Sequence, residues 1–270
     1  MSTSSRRWRA AFSEVWPPLL TFAVVIAAWQ IAVPLLNVPP YLLPTPSQIV
    51  QNLVARFGSY VADTAVTVWE ILLTFGVSVV IGVPLGALTY QSRMFRRAVY
   101  PLLVASQTFP KLAIGPLFII WFGFGQFPII LVGVLLTFFA ITSTTLVGMR
   151  EVTPDSIDLA RIMGLNGWQR FTRIEVPQAL PSIFGGLRLG TTLAVIGVVV
   201  AEFLGTNAGL GYRIINATAT ANTVSLFTCL LLLVIVGLVF YGAVALVEWL
   251  CLPWRRSQNL PLEQIASTTP

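Results

Sequence analysis

The chain has 270 residues, of which 56% are hydrophobic and only 10% charged, with a mean hydropathy of +0.83. A soluble domain covers its surface with about 25% charged residues, so this composition excludes a soluble globular protein and makes lipid the main solvent. The net charge of +6 resides in short arginine clusters between apolar runs; that arrangement suits lipid headgroups and membrane topology, and with no basic face carrying interleaved aromatics it does not point to a nucleic-acid partner.

Long uncharged runs recur along the whole chain, between Glu14 and Arg56, Glu70 and Arg93, Lys111 and Arg150, and Arg213 and Glu248. Roughly 20 apolar residues suffice to cross a bilayer as a helix. Residues 1–14, with Arg6, Arg7 and Arg9, read as a polar tail, and the stretch from about Val15 to Leu36 as the first span. A signal peptide has the same basic-then-apolar order, but this run is too long for one and lacks a small-residue cleavage site. The prolines at 39, 40, 44 and 46 forbid a continuing helix. A short surface helix over Ser47–Gly58, capped by Ser47, follows.

A second span is predicted over about Thr64–Tyr90, with Gly76, Gly82 and Gly86 allowing close helix approach. Arg93, Arg96 and Arg97 close it. The third, about Ala98–Phe122, contains Pro101, Pro110 and Pro116 and must be bent or broken. The turn Gly123–Gln126 leads to a fourth span over about Phe127–Gly148. Residues 149–181 then carry Arg150, Glu151, Asp155, Asp158, Arg161, Arg170, Arg173 and Glu175, a polar loop between apolar runs. A fifth span over about Ile183–Leu204, a sixth over about Ser225–Leu250 and a tail with Arg255 and Arg256 complete one domain, 15–252, between tails 1–14 and 253–270. With six spans, every arginine cluster falls on one side, while the opposite loops hold Arg56 and Arg213. The positive-inside rule therefore predicts cytoplasmic termini and a cytoplasmic 149–181 loop.

Catalytic chemistry is hard to find. Histidine is absent, which removes Ser-His hydrolysis and His-ligated metals. The sole lysine, Lys111, lies in no phosphate-binding glycine loop. Cys229 and Cys251 match no metal or redox spacing and read as packing residues. Asp63, Asp155 and Asp158 map outside the spans. A non-enzyme without metal or cofactor of its own is expected.

The polar loop is the most informative segment. Thr153-Pro154-Asp155 predicts a helix start, with a capping hydroxyl, proline at the first position and a carboxylate at the positive dipole end. Gly164 suits a left-handed stop. Asn166 and Gln169 form a capping box for a second short helix that Pro177 would end. Two such helices, with Ile and Met among charges, read either as a docking knob for another protein or as a helix pair lying on the membrane.

Asp158-Leu159-Ala160, then Gly164, then Ile174-x-Val176-Pro177 resembles, with matching spacing, the E-A-A-x3-G-x9-I-x-L-P loop of ATP-binding-cassette importer permeases. Asp158 stands for Glu, Leu159 for Ala and Val176 for Leu. Leu43-Pro44-Thr45-Pro46-Ser47, Phe109-Pro110-Lys111-Leu112-Ala113 with Pro116-Leu117, Trp121–Gly125, and Ala201-Glu202 followed by Gly209-Leu210-Gly211 resemble the branch importing nitrate, sulfonates, taurine, bicarbonate or pyrimidine vitamin precursors.

The resemblance implies an all-helical permease of about six spans with the type I importer fold, multi-pass in the inner membrane. It implies a second copy of the chain, cytoplasmic ATPases that bind the ATP and Mg, an extracytoplasmic solute-binding protein, and a small organic or inorganic anion or vitamin precursor as cargo. Asp158, Leu159, Ala160, Arg161, Gly164, Ile174 and Pro177 would couple to the ATPase. A stand-alone secondary transporter is the competing class, and would need ion-coupling carboxylates inside the spans; only Glu70 and Glu202 offer themselves, and no inverted repeat is evident. Glu202 reads either as a structural group at the end of span five, paired with Arg213 or a loop amide, or as a substrate contact. Lys111 is a candidate for the translocation path, and Gly209–Gly211 for a plain outer loop or the docking place of a binding protein.

Overall fold

A computed structural model describes residues 3–254. The side chains of Arg6, Arg7 and Arg9, and the tail with Arg255 and Arg256, fall outside the described part. No strand occurs among the described residues. Helix α1 runs over Thr3–Leu35, α2 over Pro46–Ala55, α3 over Phe57–Gln91 and α4 over Arg93–Thr108. A 3-10 turn at Lys111–Ile114 leads into α5, Gly115–Phe122, and then α6 covers Gln126–Arg150. Beyond it lie α7 (Pro154–Ile162), α8 (Gly167–Arg170), a π-turn at Phe171–Glu175, α9 (Val176–Gly205), α10 (Leu210–Ala219) and α11 (Thr223–Cys251).

Among the described residues, α3, α6, the α8–α9 run and α11 are each long and apolar enough to cross a membrane. The helices on either side of Phe109-Pro110 are together long and apolar enough for a further crossing, and they bend by 91°, the break that the prolines demand. The apolar part of α1, Leu19–Leu35, is the remaining hydrophobic stretch. The six apolar runs of the sequence thus map onto four long helices, one bent pair and one shorter segment.

One local expectation in this part of the chain is corrected. Thr45, not Ser47, caps α2: its hydroxyl accepts the Gln48 N–H at 3.3 Å while the Gln48 side chain accepts the Thr45 N–H at 3.0 Å. Pro46 explains the shift, because proline favours the first helical position and hands the cap to the residue before it. Helix α10, in the connection after span five, was not foreseen.

The described chain divides into two compact units. One comprises residues up to Ala62 together with Arg213–Leu232. Within it Tyr60 is fully buried, its hydroxyl accepts a hydrogen bond from the Asn52 amide at 2.7 Å, and the Arg213 guanidinium stacks over its ring at 3.9 Å.

The other unit comprises Asp63–Tyr212 with the chain from Leu233. Its core joins Ile71, Ile129, Val132, Ala194, Val198 and Ala201, drawn from α3, α6 and α9. Helices α6 and α9 meet backbone to backbone: a methyl group on Gly197 would lie 2.8 Å from the Gly133 Cα. Lipid offers no hydrophobic drive between helices, so small residues at the crossing supply contact by close approach. Two buried hydroxyls of α6 return to their own helix, Thr137 to the Gly133 carbonyl and Thr142 to that of Phe138, which satisfies them without water. The far side of α11 is apolar and open, with Leu238 and Val239 each 67% exposed, as a bilayer-facing helix should be.

One membrane-depth charge has no counterpart in the sequence reading. Arg188 of α9 lies 2.6 Å from the Glu248 carboxylate of α11, with its guanidinium over the Tyr241 ring at 5.7 Å. An arginine inside the run 183–204 calls for an acid at the same depth, and that demand was the available signal.

Candidate functional site

The 149–181 loop is built from caps. Thr153 occupies the N-cap of α7 with extended backbone, Pro154 the first turn and Asp155 the positive dipole end. The Thr153 hydroxyl does not cap an amide, however; it pairs with the Ser156 hydroxyl at 2.8 Å. At the other end Gly164 takes φ +69, the Leu165 N–H donates to the Ala160 carbonyl and the Gly164 N–H to that of Arg161, both at 3.0 Å. This paired 6→1 and 5→2 closure is the Schellman stop, and it fixes the exit direction of the chain. Asn166 and Gln169 then form the expected capping box, with reciprocal bonds of 2.8 and 3.0 Å.

Pro177 does not end the second helix. Helix α8 runs through the π-turn, where the Val176 N–H donates to the Phe171 carbonyl, and continues as α9 to Gly205. Pro177 sits in the first turn of α9, where its missing N–H costs little, and the wide turn accommodates its ring. That extra residue per turn also brings Arg170 opposite Glu175, five positions on. The Arg170 Nε donates to the Glu175 carboxylate at 2.7 Å, and Glu175 is 2% exposed. Helical i, i+4 spacing gave no hint of this pair. Replacement of Arg170 by Ala leaves a buried carboxylate uncompensated. Discounted for the part-exposed arginine, the expected loss is about 1–3 kcal/mol, read as a lowered thermal midpoint in detergent, with an unchanged midpoint as the contrary result.

The loop presents a mixed surface. Asp158 and Arg161 form an exposed ion pair at 2.9 Å. Ala160 is fully buried beneath them, while Leu159, Ile162, Met163 and Trp168 are exposed, Ile162 to 84%. Leu159, Ile174 and Pro177 line a groove of about 640 Å³ with Glu151, Arg173 and Trp254. The residues of the sequence motif thus lie on α7 and its Schellman stop and on the π-turn and first turn of α9, and Leu159, Ile174 and Pro177 share one groove.

The residues singled out elsewhere lie apart from this loop in the fold. Lys111 opens the 3-10 turn at the break of the third span, with its ammonium over the Phe139 ring at 5.4 Å. Glu202 is 1% exposed. It accepts the Thr67 hydroxyl at 2.6 Å and the Gly211 N–H at 2.5 Å, so the loop-amide alternative is the one observed. Thr67 in turn accepts the Leu210 N–H at 2.8 Å, and Gly209 turns the chain at φ +98. A methyl on Gly211 would meet the Glu202 carboxylate at 2.7 Å. Glu202, Thr67 and the Gly209–Gly211 turn thus form one buried polar knot joining α3, α9 and α10. No cluster of three or more metal-ligating side chains occurs among the described residues.

Comparison with known proteins matches residues 78–249 to the family of binding-protein-dependent transport system inner membrane components. The formylaminopyrimidine transport permease ThiX of Halalkalibacterium halodurans is 37% identical over 242 residues, covering 89% of this chain and 96% of that protein. The riboflavin transport system permease RibX of Chloroflexus aurantiacus is 34% identical, covering 94% and 96%. Among solved structures, a chain of the MetNI methionine transporter in an inward-facing form superposes with a TM-score of 0.60 at 22% identity, covering 70% of this chain and 96% of that one.

Proposed function

The chain belongs to the binding-protein-dependent transport inner-membrane components and is a multi-pass permease of an ATP-binding-cassette importer, and from that premise we propose that the capped 149–181 loop is the element through which a separate ATPase drives it. The observation that carries this reading is the exposure of Leu159, Ile162, Met163 and Trp168 on helices whose ends are locked by a Schellman stop and a capping box. Apolar side chains left open on a rigid, charged element are a docking surface. A bilayer-lying helix pair would instead segregate apolar and charged faces. Asp158 and Arg161 supply polar register, and Ala160, Ile174 and Pro177 hold the element to the body of the permease. A rigid element transmits ATPase closure as a rigid-body movement.

In this reading ATP and Mg bind the partner ATPase, and both termini and the loop face the cytoplasm. A solute-binding protein delivers cargo on the opposite side, near the Gly209–Gly211 turn. A second copy of the chain completes the path, with Lys111 at the break of the third span as a path-lining group. The cargo is a small organic or inorganic anion or a vitamin precursor, and the heterocycles named for ThiX and RibX support the latter.

The test is Ile162→Asp. Its side chain is almost wholly exposed, so the fold tolerates the change, whereas a charge placed in an apolar contact weakens docking by an expected 10-fold or more. An ATPase retained in detergent by the wild-type chain should be lost from the variant at equal membrane levels. Equal retention, or cysteine labelling that puts the loop outside the cell, overturns the proposal.

A further inference from the structure

Glu70 of α3 is fully buried, and among the described residues no hydroxyl or amide donates a hydrogen bond to either of its side-chain oxygens. Its neighbour is the Glu202 carboxyl, within hydrogen-bonding reach. Asp63 adds a further acidic group facing Glu202, and the ion pairs among the described residues involve neither Glu70 nor Glu202. Two ionised carboxylates are acceptors only, and two abutting anions in a low-dielectric interior repel strongly. A contact between them persists only if one of the two donates.

The donor inventory says which. Glu202 already accepts the Thr67 hydroxyl and the Gly211 N–H, one at each oxygen, the arrangement that stabilises an anion. Glu70 accepts nothing. We infer that Glu70 is a hydrogen-bond donor, a carboxylic acid whose O–H points at Glu202, and that this bond positions the Gly209–Gly211 turn. The chain of bonds then runs without a gap, from the Glu70 O–H to Glu202, from Glu202 to the Gly211 N–H, and through Thr67 to the Leu210 N–H. Glu70 is a positioning residue in this scheme and touches no cargo. Its bearing on substrate delivery rests on the importer reading; the hydrogen bond itself does not.

Glu70→Gln and Glu70→Ala separate the possibilities, because a glutamine amide donates where the acid did and alanine cannot. Uptake by Glu70→Gln at equal membrane level should stay within about twofold of wild type, and Glu70→Ala should lose about tenfold or more, the scale of a hydrogen bond to a charged group. Infrared spectra of the purified full-length chain in ester-free detergent supply a readout that requires no transport. The wild-type minus Glu70→Gln difference should contain the carbonyl band of a protonated carboxylic acid. Absence of that band overturns the assignment even if Glu70→Ala fails to fold. So does a Glu70→Gln variant as impaired as Glu70→Ala, or a Glu70→Ala variant that transports normally. A band that is present in a chain that retains no ATPase would instead count against the docking role of the 149–181 loop and leave Glu70 as assigned.

Discussion

Replacement of Glu202 by Ala is expected to lower the thermal midpoint of the detergent-solubilised chain sharply and to abolish uptake. The carboxylate accepts two buried donors, the Thr67 hydroxyl at 2.6 Å and the Gly211 N–H at 2.5 Å. A buried donor left unmade costs about 1–3 kcal/mol, more where the lost partner was charged. Thr67 can turn part of the way to the Asp63 carbonyl, 3.3 Å away, whereas the Gly211 amide loses the carboxylate oxygen that it donates to. The expected loss is therefore about 2–5 kcal/mol, a large share of the 5–15 kcal/mol that holds a typical domain together. Glu202→Gln keeps an oxygen for the Gly211 N–H and should lose about half as much. A role in cargo binding makes a different forecast: uptake would fall while the midpoint without cargo stayed put. An unchanged midpoint in Glu202→Ala would remove the structural reading of the knot.

Replacement of Gly164 by Val should abolish transport while leaving membrane insertion intact. Nothing lies within 4 Å of where a side chain at Gly164 would start, so steric clash is not the cause. The backbone is. At φ +69 a β-branched residue is held in a region it avoids, at a cost of about 1–3 kcal/mol. The inexpensive escape is to rotate out, which breaks both Schellman bonds, Leu165 to Ala160 and Gly164 to Arg161. Helix α7 would then lose its fixed angle to α8, and with it the surface formed by Leu159, Ile162 and Met163. Gly164→Asn offers the control, because asparagine tolerates the left-handed region and should retain most of the uptake. Wild-type uptake by Gly164→Val at wild-type membrane levels would show that this turn does not transmit force.

The caps of the 149–181 loop were legible because capping is local chemistry. Pro154, Gly164, Asn166 and Gln169 each act on backbone groups within five residues, and those distances are fixed by sequence. The same locality explains the broken third span, where Pro110 removes an amide whatever surrounds it. Two of the local errors come from competition at the same scale. Pro46 moved the cap from Ser47 to Thr45. A π-turn let the chain run past Pro177, a feature with no side-chain signature of its own. Arg188 and Glu248 went unpaired in the sequence reading because 60 positions separate them, and only the packing of α11 on α9 brings them within 2.6 Å.

Composition and the spacing of charges by themselves determined that this chain lives in lipid, how many apolar runs it has, where its longest polar loop lies and which motif that loop carries. Each of these follows from burial cost or from backbone chemistry over a few residues. The tertiary structure alone decided that Glu202 accepts an amide from beyond its own helix, that Glu70 faces another acid, and that Ala160 is buried while Ile162, on the opposite face of α7, stands open. Those outcomes depend on which helix faces come together, and a sequence specifies faces only after distant segments have packed.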